Sequence, residues 1–532
     1  MMRHANYRNK FRDISVYDKK LGTGLQSTVD LHILIKPPRI QSPDLNGTRD
    51  INLNLVAVKN YKPDKYDDID GGAIKELNIL YRLMGCPHLV QLLDVEILII
   101  NQQMILRIII PYHTSDLTEF IRIFSFSEKL KYYKVIIDQL LNALLQLSIK
   151  GIIHRDIKPD NILIDYEYDK DTNTLLREPK VYLSDFGLSV QLPCDRQFRN
   201  INLSFESGTP LYFSPELLSR HRNYDEKIDM WGLGVTLITY FLETEFTYPS
   251  EKSYELADYV GINAIMYEIL DNLVEDHSLK SFINLSFHDH VNLKKVFINH
   301  NKLDYYEEIP ENIIKLITSM LEINPKDRLD IITLFPQITV CPGSDKQLEV
   351  GPTKTNLKSY YDVLHKMLKV SSDFKLDTRV FISAINLLNK YIHTYDVENS
   401  QLLLIGALCL YITDKTLSER NVDPEDYIDI FNYNFTLKQF QLYEILILQK
   451  TNYMVSSCYV DEFIDAVESI TKKASLKLRS PGVNDHNRLI YTAINITYPL
   501  LDKMYRKIEE DGVFVGELFD FEMVEYLNKV NT

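Results

Sequence analysis

Residues 154–161 read HRDIKPDN and residues 183–187 read LSDFG. No other feature constrains this chain as tightly, because each string carries chemistry that the other needs. Asp156 is a carboxylate able to accept a hydroxyl proton. Asn161 and Asp185 are oxygen donors suited to Mg²⁺, and Lys158 is a cation for a phosphate in transit. Upstream, LGTGLQSTV at 21–29 fits GxGxxGxV, with Ser27 in place of the third glycine. Backbone amides of such a loop cover phosphates, and glycine permits close approach. Leu21, Gly22, Thr23, Gly24, Leu25, Gln26, Ser27, Thr28 and Val29 are therefore candidates for nucleotide contact. Val56-Ala57-Val58-Lys59 is a short apolar strand ending in a lysine. Glu76, in GGAIKELNILYRL, is placed on the following helix to pair with Lys59.

Together these motifs resemble a eukaryotic-type protein kinase, and HRDIKPDN with Lys158 has the form seen in the serine/threonine class. The resemblance implies an α+β bilobal protein kinase fold over residues 15–340, behind a tail at 1–14. It implies ATP and Mg²⁺ as cofactors and proteins with Ser/Thr hydroxyls as acceptors. In LRIIIPYHTSDL, Ile110 would be the gatekeeper beside the adenine. The backbone of Pro111, Tyr112 and His113 would bond the purine edge, and Val29, Ala57 and Leu163 would sandwich the ring. Leu80, Leu92, His154 and Phe186 match the stacked residues linking two assembled lobes. Thr209 falls where a threonine contacts the catalytic aspartate and lysine.

Within that family, GGAIKELNILYRLMGCPHLVQLLDV resembles the cyclin-binding helix of cyclin-dependent kinases and the strand after it. Ala73-Ile74-Lys75-Glu76 keeps the second half of that helix's best-known motif, with lysine for arginine. SDLTEFI, SPELL at 214–218 and the Asp229-Met-Trp-Gly helix start also match. Arg328 is expected to pair with Glu216 as a structural, buried ion pair. The differences carry information too. Leu25 and Gln26 replace the Thr and Tyr whose phosphorylation switches many relatives off. Ser204 falls at the family's activating phosphosite, with Arg155 kept as a basic partner but Lys75 and Val190 replacing two arginines. Gly208 and Phe213, in ESGTPLYFSPE, do not support proline-directed substrate choice.

Composition agrees. With 532 residues and 45% apolar content the chain is long enough for two or three domains with real cores. A net charge of −15 argues against a protein whose main task is gripping nucleic acid. Its five cysteines form no CxxC pair, which points to reduced thiols in a cytosolic or nuclear setting. The start, MMRHANYRNKFRD, lacks a signal peptide's apolar stretch, so secretion is not expected. Leu89 to Ile110 is greasy but interrupted by polar residues, and reads as strands instead of a membrane span.

Residues 341–356 carry Pro342, Gly343, Gly351 and Pro352 and read as a linker. Helical patterns follow. Leu403 to Leu410 is apolar nearly all round, the mark of a helix at the centre of a bundle, while Thr378–Thr394 and Leu437–Lys450 are amphipathic. AINLLNKYI, SQLLLIGALCLYITDK and FTLKQFQLYEILILQKTNY resemble helices of a cyclin box. The chain is thus expected to continue into an all-α cyclin-like helical domain at 357–458, with 459–532 a helical region too short for a complete second box and read as a truncated one. Cyclins set a lysine and a glutamate against the kinase's cyclin-binding helix, and Lys415 and Glu444 occupy those positions. The expectation is a serine/threonine kinase joined to its own activator, docking in cis or in trans between two chains. Tethering would raise the activator's effective concentration to roughly millimolar. A different class of function, a non-catalytic kinase–cyclin scaffold capturing cell-cycle or transcription partners, would not need Lys59, Glu76, Asp156, Asn161 and Asp185 together. The insertions at 36–54 and 166–180 read as surface loops.

Overall fold

The computed structural model describes residues 15–34, 55–192, 209–243, 293–335 and 357–455, except 24–26, 67, 101–102, 210–211, 219–223, 300, 396, 419–421, 432–435, 452 and 454. The tail at 1–14, the insertion at 36–54, the linker 341–356 and residues 459–532 lie outside the described residues. Two compact units are present, one drawn from 1–63 and 79–342, the other from 64–78 and 343–532.

In the first unit, β1 (Ser15–Thr23), β2 (Ser27–Leu34), β3 (Leu55–Tyr61), β4 (Asp94–Ile100) and β5 (Gln103–Pro111) form an antiparallel sheet in the order β1-β2-β3-β5-β4. Helix α1 (Gly71–Arg82) follows β3 in the chain and begins in the second unit. Register decides what the sheet presents. Residues directly opposite share a face; Lys59 lies opposite Val29 and Ile108, and Ala57 opposite Leu31 and Ile110. Val29, Ala57, Lys59 and Ile110 therefore line one face. The alternate residues Val56, Val58 and Ile109 are buried with Leu93.

Beyond β5 come β6 (Ser115–Asp116), α2 (Leu117–Ile123) and α3 (Phe126–Ile149). Asp116 and Ser125 start the two helices by accepting the amides of Glu119 and Glu128 on their side chains. Short strands then frame the polar motifs. β7 (Ile152–Ile153) pairs with β12 (Val190–Gln191), and β8 (Ile162–Asp165) lies between β6 and β11 (Lys180–Leu183). The stretch at 166–180, expected as a plain loop, contains a hairpin of β9 (Tyr168–Asp169) and β10 (Thr174–Leu175). It is anchored: the Leu175 amide donates to Glu128, Asn173 donates to the Ile123 carbonyl, and Tyr166 and Tyr168 join Phe120 and Phe124 in one aromatic cluster.

After α4 (Pro215–Leu218), helix α5 (Lys227–Leu242) is buried at every position from Ile228 to Leu242. A helix apolar all round has to sit at the centre of its domain. The helices α6 (Leu293–Asn299), α7 (Leu303–Glu308) and α8 (Glu311–Met320) follow. As expected from the motifs, Arg328 meets Glu216 through both guanidinium nitrogens, with 2.9 Å for the Nη2 bond, and its guanidinium lies 5.2 Å from the Trp231 ring centroid.

The second unit is helical. It contains α9 (Leu357–Asp373), α10 (Thr378–Thr394), α11 (Asn399–Leu417), α12 (Pro424–Ile430) and α13 (Leu437–Lys450). Asp377 and Asp423 cap α10 and α12, and Thr436 with Gln439 closes a reciprocal capping box on α13. The apolar helix α11 packs against all four others, and its residues Leu404 to Thr413 are buried. Gly406 permits close approach to α9, because a Cβ there would lie 2.4 Å from Val363 Cγ1.

Substituting Arg328→Ala would leave Glu216 buried without its cation. The expected loss is about 3–5 kcal/mol of stability, read as a lower denaturant midpoint of the kinase-type unit.

Candidate active site

The site is built outward from the start of α5. Asp229, fully buried in its first turn, accepts the backbone amides of His154 at 2.7 Å and Arg155 at 2.9 Å. These bonds hold Arg155 in a left-handed conformation, φ 71°, which a residue other than glycine rarely adopts unaided. Burial pushes the Asp229 carboxyl up to about 7, against the pull of the two amides. His154 donates from Nε2 to the Ser184 carbonyl at 2.9 Å, and its ring lies edge-on to Phe186 at 5.1 Å. Burial holds its pKa down, so the ring is neutral. The Ser184 amide donates to the Asn161 carbonyl at 2.8 Å. The two motifs are thus tied together by backbone and imidazole bonds.

Asp156 has both carboxylate oxygens engaged. Oδ2 accepts Asn161 Nδ2 at 2.8 Å and faces Lys158 Nζ at 3.0 Å, and Oδ1 accepts the Thr209 amide at 2.8 Å. Lys158 also donates to Thr209 Oγ1 at 2.6 Å. Asp156, Lys158, Asn161 and Thr209, four of the residues expected in the site, are therefore brought into one bonded group. Lys59 Nζ lies 2.7 Å from Asp185 Oδ1. Burial pushes the Asp185 carboxyl up, but the Lys59 ammonium outweighs it and holds the group below the usual carboxylate range. Asp185 also has a left-handed backbone, φ 62°. Its side chain is about half exposed, leaving carboxylate surface open beyond the lysine.

Leu21, Gly22, Thr23, Ser27, Thr28 and Val29 occupy the paired ends of β1 and β2, with Gly22 opposite Val29 and Thr23 opposite Thr28. Gly24, Leu25 and Gln26 lie outside the described residues, as do Ser204 and Gly208. Ile110 and Pro111 end β5, and Tyr112 and His113 lead away from it. His113 Nδ1 bonds Asp165 Oδ2 at 2.9 Å, and the Thr114 amide donates to the other oxygen. Burial raises the Asp165 carboxyl, but His113 outweighs it and the net shift is downward. Leu163, opposite Tyr182 and Asp116, stands half-buried on β8. Leu80, Leu92, His154 and Phe186 are all buried, and Glu76 is buried on α1.

A second polar centre lies in the helical unit. Its 64–78 segment is shaped by its own acids: Asp64 accepts the amides of Tyr66 and Asp68, and Asp70 accepts that of Ala73 at the start of α1. Lys415 Nζ lies 2.9 Å from Asp68 Oδ2, 3.2 Å from Glu444 Oε1 and 3.9 Å from Asp64 Oδ2. Tyr411 donates its hydroxyl to Asp68 at 3.0 Å. Lys415 and Glu444 were legible as a pair from the cyclin resemblance. Asp68, which completes the cluster, was missed, since an aspartate in the acidic run KPDKYDDID reads as solvated surface.

Charge explains the cluster's titration. Burial pulls Lys415 down, but the carboxylates of Glu444, Asp68 and Asp64 outweigh it and raise its pKa. Burial raises Asp68, yet Lys415 and the Glu444 hydrogen bond bring it below its ordinary value. Burial and the neighbouring Asp68 push Glu444 well above the glutamate range, against the pull of Lys415.

Comparison with known proteins accords with this geometry. The family model of the protein kinase domain matches residues 46–337, and that of the cyclin N-terminal domain matches 342–456. The chain belongs to the protein kinase family, and its kinase domain is followed by a cyclin N-terminal domain. It is 27% identical over 334 residues to the DNA damage response protein kinase DUN1 of Saccharomyces cerevisiae, covering 61% of this chain and 55% of that protein. It is 30% identical over 206 residues to the human phosphorylase b kinase gamma catalytic chain, liver/testis isoform, covering 36% of this chain and 43% of that one. The chain thus spans about half the length of the curated relatives it matches. A solved structure, the CAK complex of Chaetomium thermophilum bound to ATP-γ-S, aligns with 60% of this chain and 88% of its own at 22% identity and a TM-score of 0.41. Among the described residues no helix is long and apolar enough to cross a membrane.

The raised Glu444 binds its proton more tightly in the folded chain than in the unfolded one. Stability should therefore fall as pH rises beyond the ordinary glutamate range, by at most about 1.4 kcal/mol per unit for one proton. The lowered Asp68 acts at the other end: its contribution is lost as pH falls below the ordinary aspartate range. Unfolding midpoints of the full chain should show a shallower alkaline decline in Glu444→Gln than in the parent.

Proposed function

We propose that this chain is a serine/threonine protein kinase that transfers the γ-phosphate of ATP to protein hydroxyls, with its cyclin-like domain as a built-in activator. The observation that carries this reading is the bonded group around Asp156. Asn161, Lys158 and the Thr209 amide aim its carboxylate and leave it no rotational freedom to lose when an acceptor hydroxyl arrives.

The residues present fit the cofactors. A Cβ at Gly22 would meet nothing within 4 Å, so the protein's own packing does not demand glycine there, whereas a phosphate drawn close to the backbone would. Asn161 bonds Asp156 twice through Nδ2, which turns its amide oxygen away from Asp156, and Asp185 is held anionic with one side open. Those two oxygen donors suit Mg²⁺, which is commonly held by one or two protein oxygens together with phosphates and water. When bound, Mg²⁺ supplies positive charge to the phosphates. Lys59 is positioned to exchange its Asp185 contact for the α and β phosphates. Asp156 accepts the proton of the acceptor hydroxyl, while Lys158, fixed by Thr209, faces the charge moving onto the transferred group. The sheet face of Val29, Ala57 and Ile110 offers apolar cover for the base, with Leu163 opposite and the backbone of Pro111 to His113 at its edge.

The activator reading is supported by the contacts of the segment that leads into α1. That helix carries Glu76, the expected partner of Lys59, and Lys415 and Glu444 engage the residues just before it.

The full chain should phosphorylate a generic protein substrate with ATP and Mg²⁺, yielding phosphoserine or phosphothreonine by mass spectrometry. Asp156→Asn should lower kcat by about 10²–10⁴, and Asp185→Ala should serve as a blank. Full activity in both variants would end the catalytic reading. The double variant Lys415→Ala with Glu444→Ala should lower activity while the kinase-type unit stays folded by circular dichroism. Unchanged activity there would end the activator reading.

A further inference from the structure

The activator reading leaves open what makes a cyclin-like domain choose this particular segment. We infer that Asp68 is the specificity-determining residue, a buried acid that only a partner bearing a lysine at the position of Lys415 and a second carboxyl at that of Glu444 can satisfy. The inference rests on the activator reading for its consequence in catalysis, but not for the contact itself.

Asp68 and Glu444 are fully buried, and the Lys415 side chain is 6% exposed. Asp68 and Lys415 meet each other inside the cluster, and Glu444 meets Lys415 through Oε1. Asp68 Oδ2 takes Lys415 and the Tyr411 hydroxyl, and Oδ1 takes the Ile69 amide. A buried ion pair is a poor source of net stability but a strong source of discrimination, because removing one partner strands the other charge away from water. A helical domain with an apolar residue for Lys415 would strand Asp68. A segment with an apolar residue for Asp68 would take from Lys415 its nearest carboxylate and from the Tyr411 hydroxyl its acceptor.

Three further contacts narrow the fit. A Cβ at Gly71 would lie 2.2 Å from the Lys415 carbonyl oxygen, so the segment must present glycine where α11 passes. Tyr66 donates its hydroxyl to Asp423 at 2.8 Å and accepts Gln441 at its carbonyl at 3.1 Å. The partner chemistry that fits is a helical domain presenting tyrosine and lysine one turn apart on a buried helix, with a carboxyl from a neighbouring helix. This chain's own α11 and α13 meet that description.

The test uses the full chain and hydrogen exchange of the amides of 71–78, with the amides of α5 as an internal check that the kinase-type unit is folded. Asp68→Asn and Lys415→Met should each speed exchange at 71–78 by on the order of 100-fold. The double variant should be far less than additive, with a coupling of about tenfold or more. The charge-reversed pair Asp68→Lys with Lys415→Asp should recover part of the protection, which a merely space-filling role for either residue would not. Unchanged exchange in both single variants, or strict additivity in the double, would overturn the inference. Lost protection with unaltered kinase activity would leave the inference standing and remove the activator reading instead.

Discussion

The polar site depends on one buried carboxylate. Asp229 sits in the first turn of a helix that is buried along its length, so it cannot move without moving the domain's centre. From there it accepts two successive amides and holds Arg155 in a conformation that would otherwise cost of order 1–3 kcal/mol. That twist orients the run from His154 to Asn161. His154 then reaches Ser184, and Ser184 reaches back to Asn161, so the strand before Asp185 is placed by the same anchor. The positions of Asp156, Asn161 and Asp185 are consequences of a core helix, not of loop preference.

The two lysine-centred clusters illustrate how exposure decides what an ion pair does. Lys59 and Asp185 lie 2.7 Å apart, but the carboxylate is about half open to solvent. Screening weakens such a pair, which on the proposed reading lets Lys59 leave Asp185 for a phosphate. Lys415, Asp68 and Glu444 have no such outlet. There the effective dielectric is lower, each interaction is larger, and each missing partner is more costly. The first arrangement suits a group that must change partners during a reaction cycle. The second suits a contact that selects one partner and keeps it.

Much of this was legible in the chain because the chemistry is local. HRDIKPDN and LSDFG place base, cation and metal-ligand candidates within short strings, and backbone bonds in the structure bring those strings together. The face shared by Val29, Ala57, Lys59 and Ile110 follows from strand period and register, which short apolar runs reveal well. The helices Thr378–Thr394 and Leu437–Lys450 also match the ranges read from periodicity. What was not legible is tertiary. Asp68 is one of four aspartates at 64, 67, 68 and 70, and nothing in the string marks it as fully buried. The stretch after Tyr166 read as a loop because its hairpin is only two residues deep per strand; its order comes from Glu128 and from aromatic packing on α2.

The geometry of α1 explains how docking would reach the chemistry on the proposed reading. Gly71, packed against the Lys415 carbonyl, and Glu76 belong to the same 12-residue helix. Five residues along an α-helix amount to a rise of about 7.5 Å and a turn of about 140° past the first full revolution. Glu76 therefore faces a different direction from Gly71 while being joined to it by continuous helical hydrogen bonds. A contact that fixes the helix start in position and rotation fixes Glu76 as well, with no flexible joint between them. The missing side chain at Gly71 matters for the same reason: a Cβ would push the helix start off the α11 backbone, and the displacement would be carried undamped to the glutamate.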